Sequence, residues 1–180
     1  MTTDEQLMDE MRNGSRAAFE TLFGRYRDPI WRFFRRRAPE ARAEELAQDT
    51  FVAVLEGAAR YEQRGTARSY LFGTAYNVLL ADRRKAAHRA TDPIDVEPAA
   101  DGPFDPDAGI WVRDALARLD EGDREMLMLR EYEQLSYQEI ADLRETPLNT
   151  VRSQLFRARM ALRAALETRI PEPARTRHVR

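Results

Sequence analysis

Apolar residues in this 180-residue chain recur at helical rather than alternating spacing, and they fall in two blocks. In the first block Phe19, Leu22, Phe23 and Tyr26 mark a helix that starts near Ser15. Pro29 is predicted to interrupt it, with Asp28 placed to cap a second segment through Trp31, Phe33 and Phe34. The next helix is predicted over residues 41–59. Its inward stripe is Ala47, Thr50, Phe51, Val54 and Leu55, and Glu45, Asp49 and Glu56 lie on the opposite face. A third helix begins after Gly65 and Thr66, turns Tyr70, Leu71, Thr74, Ala75 and Val78 inward, and ends in a basic tip of Arg83, Arg84, Lys85, His88 and Arg89.

The second block carries a sharper local signal. Ser136-Tyr137-Gln138-Glu139 has the spacing of a capping box and opens a short helix through Ile140, Ala141 and Leu143. A turn at Glu145 and Thr146 follows, and Pro147 suits the first turn of a new helix. That helix is predicted from Leu148 to about Leu166, with Val151, Leu155, Ala158 and Leu162 inward. Two helices joined by so short a turn form a helix-turn-helix, which needs earlier apolar positions to close its core. Leu116, Leu119, Met126, Leu127 and Leu129 supply them.

Between the blocks, residues 90–109 hold four prolines, two glycines and six acids without apolar period, and read as an extended linker. The fold class is therefore all-α: two small helical domains joined by an acidic flexible linker. The boundaries are residues 1–89, 90–110 and 111–170, with a tail at 171–180 expected to fray. No apolar run approaches the ~20 residues that cross a bilayer, the acidic N-terminus does not resemble a secretory signal, and a cytoplasmic protein is expected. The sequence has no cysteine, which excludes disulfides, thiolate metal sites and cysteine nucleophiles. No cofactor or metal is assigned.

A net charge of −2 argues against nucleic acid until it is divided along the chain. The acidic linker offsets two mildly basic flanks, so the positions of the charges matter more than their sum. Lys85 is the sole lysine among 29 basic residues. Arginine suits bidentate contacts to phosphate and guanine, although a GC-rich genome explains the same bias. In a helix-turn-helix, the N-terminal residues of the second helix meet base edges. Here Thr150, Arg152, Ser153, Gln154 and Arg157 point outward and can all hydrogen-bond, and the next acid is Glu167. An ordinary solvated helix face is the competing interpretation.

Both halves then resemble one family. AFETLFGRYRDPIWRFF, RAEELAQDTFVAVL and YLFGTAYN with its basic run resemble domain two of extracytoplasmic-function sigma factors, a subfamily of the sigma-70 RNA polymerase sigma factors. ALARLDEGDREMLMLREYEQLSYQEIADLRETPLNTVRSQLFRARMAL resembles their domain four. The resemblance covers roughly residues 15–166. It implies a non-catalytic subunit that directs core RNA polymerase to promoter −10 and −35 elements and assists strand opening. It places the docking face for the β′ coiled coil at Glu44, Glu45, Gln48 and Asp49. It assigns the −10 element to residues 58–68, with Tyr61, Arg64 and Arg68, and to Asn77, Arg83, Arg84 and Lys85. Tyr61 is the aromatic available to stack on a flipped base, or equally a core residue closing its helix. The −35 duplex falls to Thr150, Arg152, Ser153, Gln154, Arg157 and Arg159, while the first helices of domain four touch the β flap. Such factors are often held by an anti-sigma protein that clamps both domains, a further expected partner.

Several positions depart from the family pattern. Arg42 replaces a usual acid, Asp82 falls one residue late, Glu145 replaces a turn glycine, Asn149 replaces another, Gln154 replaces arginine and Phe156 replaces histidine. Three other readings compete. A dimeric operator-binding regulator explains only the second block. A polymerase-binding adaptor without DNA contacts is consistent with Glu145 and Gln154. An enzyme is poorly supported: the two histidines, His88 and His178, sit in basic or tail settings, and there is neither a glycine-rich phosphate loop nor an acid pair tied to a nucleophile.

Overall fold

The computed structural model describes residues 2–62, 65–90 and 109–168, and among them every regular element is helical. The chain divides into two compact units, Met1–Asp105 and Pro106–Arg180. The expected linker between 90 and 110 and the tail lie almost wholly outside the described residues.

Unit one holds α1 (Asp4–Arg12), α2 (Arg16–Arg35), α3 (Glu40–Gly57), a 3₁₀ turn (Ala58–Arg60) and α4 (Ala67–Ala90). The first of these was not anticipated. It starts with a capping box, in which the Thr3 hydroxyl accepts from the Gln6 N–H and the Gln6 side chain accepts from the Thr3 N–H. It buries Leu7, Met8 and Met11, which share one helical face. Asp4 anchors it to α2, accepting from Arg25 Nη1 and from the Tyr26 hydroxyl, each at 2.5 Å.

Ser15 caps α2 as expected, its hydroxyl accepting from the Ala18 N–H at 3.2 Å. Contrary to expectation, α2 runs unbroken through Pro29, and Asp28 caps nothing. A proline inside a helix costs ~3 kcal/mol, but Leu22, Tyr26, Ile30, Phe33 and Phe34 are all buried along one stripe. Breaking the helix would throw the residues after Pro29 out of phase, and each large apolar side chain returned to water forfeits ~1.5–3 kcal/mol.

Phe33 meets Phe34 and the α4 residue Phe72 edge-on, with ring centroids 5.0 and 5.9 Å apart. Ala47, Thr50, Phe51 and Val54 face this core from α3, and the Thr50 hydroxyl donates to the Leu46 carbonyl. Leu55, predicted inward, is 52% exposed. On α4, Leu71 and Ala75 are buried as predicted, Tyr70, Thr74 and Val78 only partly, and Phe72, Tyr76 and Leu79 complete the inner face.

Unit two comprises α5 (Ile110–Ala117), α6 (Glu121–Leu127), a π turn (Met128–Tyr132), α7 (Tyr137–Leu143) and α8 (Leu148–Glu167). The Arg124 side chain donates to the carbonyls of Leu116 (3.0 Å) and Leu119 (2.9 Å), closing the end of α5. Met126, Leu127, Met128 and Leu129 are all buried, a run that a regular surface helix would partly expose. The predicted capping box opens α7, with the Ser136 hydroxyl accepting from the Glu139 N–H and the Glu139 carboxylate accepting from the Ser136 N–H. Val151, Leu155 and Ala158 seat α8 at zero exposure.

Candidate docking face and nucleic-acid interface

The α3 face carries Glu44, Glu45, Gln48 and Asp49, all exposed. Glu44 and Gln48 also border a groove of about 380 Å³ between α2 and α3, floored by Phe23, Trp31, Ala47 and Phe51 and edged by Arg27 and Asp28. Exposed Val52 and Leu55 continue α3 beyond it. The face therefore combines an acidic rim with an apolar floor. Only the rim was legible in the sequence, because the floor is assembled from two helices. Glu45 is not isolated, since Arg42 Nη1 donates to its carboxylate.

The segment assigned to the −10 element has mixed placement. Tyr61 is 5% exposed and meets Tyr70 edge-on, with centroids 4.8 Å apart. It closes the core and offers no free stacking face, so of the two roles the sequence left open the core one holds, and the placing of Tyr61 among the base-stacking residues is corrected. Its hydroxyl is buried without a hydrogen-bond partner among the described residues. Arg64 lies outside the described residues. Arg68 is half-buried, with its guanidinium 4.7 Å from the centroid of the Phe72 ring. It also lies against Tyr26, whose phenol burial and Asp4 hold well above its usual range. Asn77 is exposed on α4, and Arg84, seven residues later, shares its face with Lys85 alongside. Arg83 is half-buried.

On α8, Arg152, Ser153 and Arg157 are exposed as predicted, and Thr150 is half-buried. Local bonds order this end: Arg152 Nη1 donates to Asn149 Oδ1 (3.1 Å) and the Ser153 hydroxyl donates to the Thr150 carbonyl (2.9 Å). Two assignments fare differently. Gln154 turns its Oε1 into the protein, where it is buried and unpartnered among the described residues. It borders a polar pocket of about 290 Å³ with Asp120, Asp123, Arg144 and Arg157. Arg159 is engaged within its own unit, donating to Glu131 Oε1 (2.8 Å) and to the Tyr137 hydroxyl (2.9 Å). Phe156 and Met160, four residues apart, stand 66% and 47% exposed on the same helix.

The turn before α8 bears out the strain expected of Glu145, whose φ is +51°. Gln134, at the turn before α7, has φ +55° and was not anticipated. Asn149 sits within α8 and adopts no left-handed geometry.

Residues 22–89 match the family model for sigma-70 region 2, and residues 110–162 match the model for sigma-70 region 4. The RNA polymerase sigma factor YlaC of Bacillus subtilis is 30% identical, over 82% of this chain and 91% of its own. The ECF RNA polymerase sigma-E factor of Salmonella typhimurium is 28% identical, over 89% of this chain and 92% of its own. Among solved structures, the sigma factor RpoE from Bartonella quintana, crystallised with the anti-sigma factor NepR, shares the fold with a TM-score of 0.64 at 24% identity, covering 78% of this chain and 92% of that one. Among the described residues no helix is long and apolar enough to cross a membrane. With its two halves matching regions 2 and 4 in order, the chain belongs to the sigma-70 family of RNA polymerase sigma factors, in its extracytoplasmic-function class.

Proposed function

We propose that residues 1–89 dock on core RNA polymerase and engage the −10 element, and that residues 111–170 read the −35 duplex. Residues 90–110 then act as an acidic strap, with 171–180 a tail. The observation that carries the reading is the outward face of α8: Arg152, Ser153 and Arg157 are exposed, Val151, Leu155 and Ala158 lock the helix from behind, and no acid occurs along it before Glu167. Such a face can approach phosphates and place an arginine fork against a guanine edge. In unit one, the acidic rim of Glu44, Glu45, Gln48 and Asp49 suits the basic β′ coiled coil. Charge there sets encounter rate and register, while the apolar groove with Phe23 and Trp31 supplies surface to bury. Asn77, Arg84 and Lys85 form the accessible part of the −10 surface, with half-buried Arg68 and Arg83 on the same helix, and Arg64 is assigned to it from the sequence alone. The polymerase carries out all catalysis, and two weak readers on one strap reach promoters by raised effective concentration. The protein acts in the cytoplasm, its first domain-four helices meet the β flap, and an anti-sigma protein restrains it, as NepR accompanies RpoE.

The test is reconstitution with core polymerase and transcription from a randomised template pool. Wild-type protein is expected to enrich promoters with two separated elements. Arg157→Ala is expected to lose dependence on the upstream element while keeping polymerase association. Association without any enriched promoter would instead identify an adaptor, and duplex binding without association would identify an operator-binding regulator.

A further inference from the structure

Helix α1 touches the segment assigned to strand opening on both sides of residues 63–64. On the far side, Glu5 Oε1 accepts a hydrogen bond from the backbone N–H of Ala67 at 3.3 Å. Ala67 is the first residue of α4 and has zero exposure. The first N–H groups of a helix have no partner within it. Thr66 satisfies a later one, its hydroxyl accepting from Ser69 at 3.1 Å, but the N–H of Ala67 is met from a different helix, by a carboxylate whose charge also complements the positive end of α4. On the near side, α1 packs on the 3₁₀ turn Ala58–Arg60. Tyr61 follows that turn, and burial first, then the carboxylates of Glu5 and Asp9, push its phenol up. Tyr61 in turn meets Tyr70, whose hydroxyl fills the space that a side chain at Gly57 would occupy.

We propose that Glu5 is a positioning residue for promoter opening: by capping α4 from α1, it fixes the start of α4 relative to Tyr61, and so sets the backbone on either side of residues 63–64 before DNA arrives. The proposal rests on the reading that the −10 strand is received beside the start of α4. Backbone already placed need not be ordered when an extruded base binds, and that saving goes to affinity. Helix α1 is firmly seated for this purpose by Leu7, Met8 and Met11 in the core and by Asp4 on Arg25 and Tyr26.

The test uses full-length holoenzymes carrying Glu5→Ala, Glu5→Gln, Asn77→Ala or Arg84→Ala, with a promoter recovered from a randomised pool by the wild type. Three quantities are read: affinity for core polymerase, binding of the single-stranded non-template −10 segment of that promoter, and permanganate reactivity of its unpaired thymines. Glu5→Ala is expected to keep polymerase affinity and to weaken single-strand binding and opening roughly fivefold, the equivalent of one lost helix cap. Glu5→Gln, whose amide oxygen accepts the same bond, is expected to restore most of both. The proposal is overturned if Glu5→Ala opens the promoter like the wild type while Asn77→Ala and Arg84→Ala do not, or if Glu5→Gln is as impaired as Glu5→Ala. If all four variants bind the single strand normally, the −10 assignment itself fails. Should Glu5→Ala lose polymerase binding through misfolding, Glu5→Asp takes its place. It keeps the charge but shortens the reach, and normal single-strand binding by it would overturn the proposal.

Discussion

Arg42 on α3 and Asp82 on α4 are bound to each other: Arg42 Nε donates to Asp82 Oδ1 at 3.1 Å, and Nη2 reaches the same oxygen. Taken alone, each residue departs from what the sequence resemblance leads one to expect, an acid at position 42 and an aspartate one position earlier than 82. Together they are complementary, because an acid at 42 would face the Asp82 carboxylate, whose side chain is only 17% exposed. The pair joins α3, with its proposed docking face, to α4, with its proposed −10 surface. The same guanidinium also holds Glu45.

Removing this arginine has two separable consequences. Arg42→Ala leaves Asp82 without its partner, and because Arg42 is 37% exposed the loss of stability is held to about 1 kcal/mol. It also unmasks Glu45 on the proposed docking face. Association with core polymerase is expected to speed up two- to threefold at low salt, and the gain should vanish near 1 M salt, where screening acts within about 3 Å. Stopped-flow association across a salt series measures both. A gain that ignores salt would mean that Glu45 is not the group released.

Arg42 also shows where one-dimensional reading stops. Helix-turn-helix features were legible because their causes are local: Ser136 and Glu139 cap within four residues, and Val151, Leu155 and Ala158 mark the inner face by spacing alone. Pro29 misled, since its local cost is outweighed by burial on partners from other helices. Leu55 misled in the opposite sense, being apolar yet outward. Helix α1 had a signal, Thr3 with Gln6 and then Leu7, Met8 and Met11, but it was submerged in an acidic segment. The inward turn of Gln154 had none, because the pocket it enters is built by α6 and α7.

Two non-glycine residues in left-handed conformation bracket α7. Such a backbone costs an L-residue ~1–2 kcal/mol, from which a glycine's greater entropy loss must be subtracted. Gln134→Gly and Glu145→Gly are each expected to raise stability by about 0.5–1 kcal/mol. They should be additive, because each turn is relieved separately. Thermal unfolding of the full chain and its double variant measures this, and a destabilising glycine at either turn would show that its side chain matters more than its backbone.

Tyr61 buries a hydroxyl that finds no partner among the described residues. An orphaned buried polar group costs about 1–3 kcal/mol, so Tyr61→Phe is expected to be neutral or stabilising by up to about 1 kcal/mol. Tyr61→Ala removes a packed ring and should cost about 3–5 kcal/mol. If Tyr61→Phe instead unfolds at a lower temperature, the hydroxyl is satisfied in the folded chain rather than orphaned.

The acids beside Arg157 make the polar pocket behind the proposed −35 face sensitive to pH. The Asp120 carboxyl is held below its ordinary 3.8, chiefly by the N–H of Asp123, while burial and then the charge of Asp120 push Asp123 above 3.8. Arg157 lowers both. The signs are opposite. The contribution of Asp120 is present above its unfolded value and is lost as pH falls through its folded value. The folded state binds the Asp123 proton more tightly, so that contribution is present below the unfolded value and is lost as pH rises through the folded one. Asp123→Asn is therefore expected to stabilise the chain at neutral pH, with the advantage shrinking as pH falls toward and below 3.8. Melting temperatures of wild type and variant across that range measure it. The substitution also removes a negative charge from the surroundings of Arg157, so −35 duplex binding at neutral pH should tighten in Asp123→Asn. In Arg157→Ala the salt slope should fall by about 0.9 if that arginine meets a phosphate. If Asp123→Asn changes stability but not DNA affinity, and Arg157→Ala leaves both slope and promoter preference intact, then Arg157 serves the polar pocket rather than the groove.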